Sequence, residues 1–244
     1  MHMDISRFLA SNIMSIENIT NAVLKKSDSF LKEIIFDDKN KDDNFEVSVF
    51  GNQKNVCVGI IDIIDSSKKV AKMPINKSAI YYEIFINHMA KIINQFKGKV
   101  LKTMGDGILF YFPETKNSKK ESNFMNCIET GLVMCESHEI LTDKLLDEFL
   151  PLINFRISFD YGQVMTVKTG DWILDLIGST INICSKINHK CIKNEMVIGD
   201  DLYKQVKNVK EYKFSKNGEY ELNLKHPYQI HSVKRKSPKL KMLN

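Results

Sequence analysis

At 244 residues the chain can hold one sizeable domain with a short extension, or two small ones. Apolar residues make up 43% and charged residues 27%, which is ordinary for a soluble globular protein. The longest apolar runs, such as residues 56–61 around Gly59, fall far short of the roughly 20 residues a membrane helix needs. No stretch has the order of a signal peptide, so a cytoplasmic protein without a membrane span is expected.

The five cysteines, Cys57, Cys127, Cys135, Cys184 and Cys191, are odd in number and lack C-x-x-C spacing. They read as small buried thiols, neither a disulfide framework nor a zinc site. The net charge of +5 is mild, and much of the excess lies in residues 234–244, with Lys234, Arg235, Lys236, Lys239 and Lys241. No apolar pattern accompanies that charge, so a solvated tail with no nucleic-acid partner is expected.

Residues 12–36 carry Ile13, Ile16, Val23, Leu24, Leu31, Ile34 and Ile35 at helical spacing. A polar run at 37–44 then reads as a linker. Three parts follow: an N-terminal helix and linker over 1–44, a domain over 45–233, and the basic tail over 234–244. Within the domain, 54–64 is a mostly apolar strand. Residues 76–97 are a helix with Tyr82, Phe85, Ile86, Met89, Ile92, Ile93 and Phe96 on one face and Gly98 as its stop signal. Strands at 100–104 and 108–112 join through the tight turn Gly105-Asp106-Gly107. One or two helices cover 122–148, and a second hairpin is predicted for 155–161 and 163–168 around Gly162. A helix at 180–191 and short strands near 196–198, 212–215, 220–224 and 228–233 complete the chain. This order suggests an α+β sandwich of the ferredoxin-like palm type.

A helix that crosses between parallel strands returns the chain to the same sheet edge. Asp62, late in the first strand, therefore lies beside Asp106 at the hairpin tip. Two carboxylates at one edge repel unless a cation lies between them, and Mg2+ is the usual one, completed by water and phosphate oxygens. Two such ions can ionise an attacking hydroxyl and neutralise a leaving pyrophosphate. An Asp before Gly is equally a plain turn residue, so spacing alone leaves the metal role open.

The surrounding residues add to this. VGIIDIIDSS at 58–67 resembles an apolar strand ending D-I-V-G-F-T, and LKTMGDG at 101–107 resembles a K-T-I-G-D-G hairpin. DLIGSTINICSK at 175–186 looks like D-x-x-G-x-x-V-N-x-A-S-R, and RISFDYGQV at 156–164 resembles the strand-turn-strand before it. Four blocks in the same order over residues 54–233 make the chain similar to the class III adenylyl and guanylyl cyclases.

The resemblance implies roles. Asp62 and Asp106 match the aspartates that hold two Mg2+ or Mn2+, with the Ile63 carbonyl as a further ligand. Ile63, Ile64, Asp65, Ser66 and Ser67 match the turn whose backbone N–H groups hold the triphosphate. Lys102 and Asp175 match the pair that reads adenine, and their donor/acceptor pattern favours ATP over GTP. Asn182 matches the asparagine that positions the ribose. Lys186 stands where an arginine stabilises the pentacovalent phosphorus; it keeps the charge and loses the bidentate fork. Lys225 matches a lysine on the outer phosphates, a place Lys213 or Lys216 could also fill. Asp65 replaces a glycine, either as a solvent-facing helix cap or as an inward charge that lowers triphosphate affinity.

The implied activity is conversion of ATP to 3′,5′-cyclic AMP and pyrophosphate in a homodimer. One subunit gives the metal aspartates, and the other gives the base-reading pair and the asparagine. The alternatives are a cyclase for GTP or a pyrimidine triphosphate, and a non-catalytic nucleotide-binding module that dimerises as a sensor.

Overall fold

The computed structural model describes residues 47–49, 53–113, 120–169, 173–221 and 227–236. The expected N-terminal helix, the linker and the last eight residues lie outside the described residues. In chain order the strands are β1 (Val47–Val49), β2 (Lys54–Ile63), β3 (Lys99–Thr103), β4 (Gly107–Phe112), β5 (Phe155–Thr169), β6 (Ile173–Ile177), β7 (Glu195–Gly199), β8 (Tyr212–Tyr220) and β9 (Tyr228–Arg235). The helices are α1 (Ser66–Val70), α2 (Ile75–Gln95), α3 (Lys120–Glu136), α4 (His138–Asp147), α5 (Ser179–Asn188) and α6 (Asp200–Val206). The strand order is β3-β4-β2-β5-β7-β9-β8, with β1 and β6 paired to β5. Only the β5–β7 pairing is parallel among these ladders. This mixed sheet with helices is the α+β class expected. Among the described residues no helix is long and apolar enough to cross a membrane.

Successive side chains of a strand point to opposite faces, and β2 uses both. Cys57, Ile61 and Ile63 join Tyr81, Phe85, Met89 and Ile93 of α2 in the larger core cluster. Val56, Val58 and Ile60 join Val164, Leu176 and Cys184 under α5. Asp62 continues this second set, so it leaves the sheet on the α5 side. In α2 the buried stripe runs every fourth residue, one turn of helix apart. Tyr81 is fully buried there and the expected Tyr82 is only half-buried. The helix ends with the Gly98 N–H on the Ile93 carbonyl at 2.9 Å, and the left-handed residue is Lys97 (φ 63°).

Three expectations fail. The hairpin around Gly162 does not form, because β5 is one continuous 15-residue strand. Gly162 serves close packing: a Cβ there would come within 2.5 Å of the Thr180 hydroxyl on α5. The chain turns back only after Thr169, into β6, which pairs with residues 165–169 and carries Asp175. The single strand β8 replaces the separate strands expected at 212–215 and 220, and helix α6 was not anticipated. The first half of the anticipated domain is closer to the mark. β3 runs parallel to β2 as predicted, but β4 lies between them, since β2–β4 and β3–β4 are both antiparallel. Lys234 and Arg235 belong to β9, where the Arg235 guanidinium is ion-paired to Glu129 and Glu136 of α3.

Candidate active site

The antiparallel register of β2 and β4 sets Asp62 opposite Gly107. Asp106, one residue earlier in the β3–β4 turn, therefore lies beside Asp62 at the sheet edge. The turn closes with the Met104 N–H on the Gly107 carbonyl at 2.9 Å, and Gly105 takes φ 79°, which costs glycine nothing. A second link fixes the edge: the Ile63 N–H donates to the Asp106 carbonyl at 3.3 Å.

Burial raises the Asp62 carboxyl above the ordinary carboxylate range, and the nearby Asp106 charge adds to this. Arg156 opposes the rise; its Nη2 donates to Asp62 Oδ2 at 2.8 Å. Arg156 reaches this position because β5 pairs with β2 so that Arg156 and Asp62 are direct partners. In sequence Arg156 stands only as the first residue of the motif at 156–164, with no role implied. The available signal was an arginine in an apolar strand, one ladder across from an acidic one.

These donors fit a hard divalent cation. Two adjacent carboxylates and the Ile63 carbonyl leave most positions for water and phosphate oxygens, as Mg2+ and Mn2+ require. Among the described residues no group of three or more His, Cys, Asp or Glu side chains gathers. The fit thus rests on this pair together with a phosphate-bearing substrate.

The turn expected to bind phosphate is partly committed elsewhere. The Ile64 N–H donates to the Asn154 carbonyl at 2.8 Å, and the Ile63 N–H is used on Asp106. The donors left to this turn are those of residues 65–67, entering α1. Asp65 sits at the N-cap of α1 with φ 56° and makes no side-chain cap bond. Asp is one of the few non-glycine residues at ease in this left-handed region. That explains how it replaces the motif's glycine. Its carboxylate faces outward, paired with Lys68 at 2.8 Å, which holds it below the usual carboxylate range.

Lys102 of β3 and Asp175 of β6, 73 residues apart in sequence, are hydrogen-bonded and ion-paired. Asp175 is further fixed because its Oδ1 accepts from the Leu176 N–H at 2.8 Å. Asn182 and Lys186 lie one turn apart on the exposed face of α5. The Lys186 ammonium stands 5.3 Å from the centre of the Tyr220 ring. Among the described residues, no hydrogen bond or ion pair joins Asn182 or Lys186 to Asp62, Asp106, Lys102 or Asp175. Lys225 lies outside the described residues.

Comparison with known proteins bears on the family and the fold. Residues 49–235 match the family described as the adenylate and guanylate cyclase catalytic domain. A cytidylate cyclase of Staphylococcus aureus is 26% identical over 185 residues, 72% of this chain and 44% of that protein. A cytidylate cyclase of Escherichia coli is 24% identical over 161 residues, 62% of this chain and 35% of that one. The chain thus spans less than half the length of these curated relatives. Among solved structures, the adenylyl cyclase CyaB from P. aeruginosa superposes with a TM-score of 0.68 at 17% identity, covering 80% of this chain and 99% of that one. The guanylate cyclase domain of RhGC from Catenaria anguillulae, in complex with GTP, gives 0.65 at 17% identity, with 76% and 99% covered. These two share the fold. With 187 of its 244 residues inside the matched family domain, the chain belongs to the adenylate and guanylate cyclase catalytic domain family.

Proposed function

We propose that this chain cyclises a nucleoside triphosphate to its 3′,5′-cyclic monophosphate and pyrophosphate. The observation that carries the reading is the register that sets Asp62 opposite Gly107 and hence beside Asp106. The ribose 3′-oxygen attacks the α-phosphorus, the bond to the β-phosphate oxygen breaks, and the hydroxyl proton leaves to solvent. Asp62, Asp106 and the Ile63 carbonyl would hold two Mg2+ or Mn2+, which supply an acidified 3′-hydroxyl and a neutralised leaving group. Arg156 balances the charge of Asp62 and adds a cation where phosphates arrive. The N–H groups of residues 65–67 would face the same polyphosphate, with one lysine of Lys225, Lys213 and Lys216 on its outer end. Asn182 orients the ribose, and Lys186 offsets the charge that builds on the phosphorus.

Asn182 and Lys186 are solvent-facing and unlinked to the carboxylates of their own chain, which supports a site shared across a homodimer. Asp62 and Asp106 of one copy would then work with Lys102, Asp175, Asn182 and Lys186 of the other.

Lys102 and Asp175 select the base by edge chemistry. An ammonium donates to a ring nitrogen, and a carboxylate accepts from an exocyclic amine. Adenine presents that pair at N1 and N6, which supports ATP as substrate. Cytosine presents the same acceptor and amine at N3 and N4. CTP is therefore the second reading, favoured by the two relatives named cytidylate cyclases. Guanine and uracil present a ring N–H beside a carbonyl, the reverse pattern, and are disfavoured. Incubation of the purified protein with each of the four ribonucleoside triphosphates and Mn2+, followed by product mass, tests this. A cyclic product from ATP or CTP is expected. Products confined to GTP or UTP would refute the base assignment. No product from any of the four would favour the non-catalytic nucleotide-binding module.

A further inference from the structure

Ser66 opens α1 and is 4% exposed. Its hydroxyl donates to Oδ2 of Asp106, 40 residues away in sequence. Tyr82, half-buried on α2, lies near the same Ser66 hydroxyl. Ser66 thus ties the start of α1 to the carboxylate at the hairpin tip. This hydroxyl has no counterpart in the D-I-V-G-F-T pattern that the segment resembles, where a phenylalanine occupies the position of Ser66.

We propose that Ser66 is a positioning residue for the metal-binding carboxylate of Asp106, acting through its side chain. The claim rests on the metal reading above. Asp62 and Asp106 are held in matching ways: Arg156 takes Oδ2 of Asp62 and Ser66 takes Oδ2 of Asp106. Each carboxylate is left with Oδ1 untied by these bonds. Asp106 is half-buried in a short turn whose backbone alone does not fix its side-chain torsions, and the Asp62 charge pushes it away. A donor anchored in a buried helix start counters both effects. Hydrogen bonds of this kind orient ligands before the ion arrives, and their loss typically costs about 10- to 100-fold in metal affinity.

The test is Mn2+ binding, without nucleotide and with a 3′-deoxynucleoside triphosphate of adenine or cytosine present, followed by electron paramagnetic resonance against Mn2+ and Mn2+–nucleotide blanks. The proteins compared are the parent, Ser66→Ala, Ser66→Thr and Asp106→Asn, each checked for a cooperative melt. Ser66→Ala is expected to weaken Mn2+ binding by about tenfold or more. Ser66→Thr, which keeps the hydroxyl, should stay within about threefold of the parent. A merely structural serine would shift the melting temperature and leave Mn2+ affinity unchanged. If Ser66→Ala binds Mn2+ like the parent while Asp106→Asn loses it, the positioning role is wrong and the metal site stands. If the parent binds no better than Asp106→Asn, the metal reading falls and this proposal falls with it.

Discussion

Asp160 offers a quantitative test that is independent of catalysis. It is 1% exposed on β5. Its oxygens accept from the Tyr161 N–H and from the Tyr228 hydroxyl, each at 2.9 Å. Burial nevertheless dominates these bonds and pushes the carboxyl from 3.8 up to about 7. In the unfolded chain it returns to 3.8, so between these values the folded protein binds the extra proton. Its stability contribution is therefore full below the unfolded value. It declines as pH rises and is gone once pH passes the folded value. At 1.36 kcal/mol per unit, the loss between about pH 5 and pH 8 comes to about 3 kcal/mol. For a domain of this size that corresponds to roughly 6–12 °C in melting temperature. Asp160→Asn is the perturbation, because an amide, like the protonated acid, is neutral and pairs an acceptor oxygen with a donor group, and it does not titrate. Thermal melts of parent and variant across that pH range should nearly coincide at the acidic end. They should separate toward pH 8, where the variant is the more stable. A melting difference that stays constant with pH would show that Asp160 does not titrate near neutrality in the fold.

Three further outcomes address the site. Asp62→Asn or Asp106→Asn should lower turnover by at least about a hundredfold while the far-ultraviolet spectrum and melt stay native-like, as expected when a transition-state contact is removed; near-parent rates in either variant would remove the two-metal assignment. Lys102→Glu combined with Asp175→Cys should raise GTP use relative to ATP and CTP in a competition assay, since donor and acceptor are exchanged. Co-expressed Asp106→Asn and Asn182→Ala chains should recover about a quarter of parent activity, because half of the freely mixed dimers carry one intact shared site and each single variant is inactive by the same argument; verified heterodimers without recovery would show that the site is not shared.

Much of the fold was legible because periodicity survives burial. The α2 stripe at Phe85, Met89 and Ile93 and the mostly apolar run of β2 both reappear in the core, the latter divided between the two faces of the sheet. The misread segment was β5, where the sequence shows a glycine amid polar residues and so imitates a turn. Gly162 is small because Thr180 of α5 presses on it, a demand made by a residue distant in sequence. No local pattern could have separated that cause from a turn. The end of α2 was misassigned for a related reason. Gly98 marks the stop in sequence, yet Lys97 takes the left-handed conformation, and a Cβ at Gly98 would meet the Ile93 side chain at 2.8 Å.

The site divides along the same line between local and long-range information. Asp62 and Asp106 could be placed together from topology alone, because a strand edge and a hairpin tip are defined by elements that sequence reveals. Lys102 and Asp175 also meet, on β3 and on the unanticipated β6. That contact follows from motif resemblance and could not follow from the predicted strands. Arg156 and the Ser66 side chain were passed over, since their importance lies in register. One is Asp62's ladder partner, and the other reaches Asp106 only once α1 is folded against the turn. Asp65 shows the converse case. Its negative charge within a phosphate-holding motif suggested weakened affinity, but the backbone requirement of φ 56° accounts for the substitution. Once that conformation is met, the Lys68 pairing turns the charge outward. The departure from the motif therefore constrains backbone shape more than it alters the electrostatics around the triphosphate. On the proposed mechanism Lys186 is the substitution that would bear on rate, because a single ammonium resting over Tyr220 would have to leave that ring to reach a transition state that arginine would meet with two parallel donors.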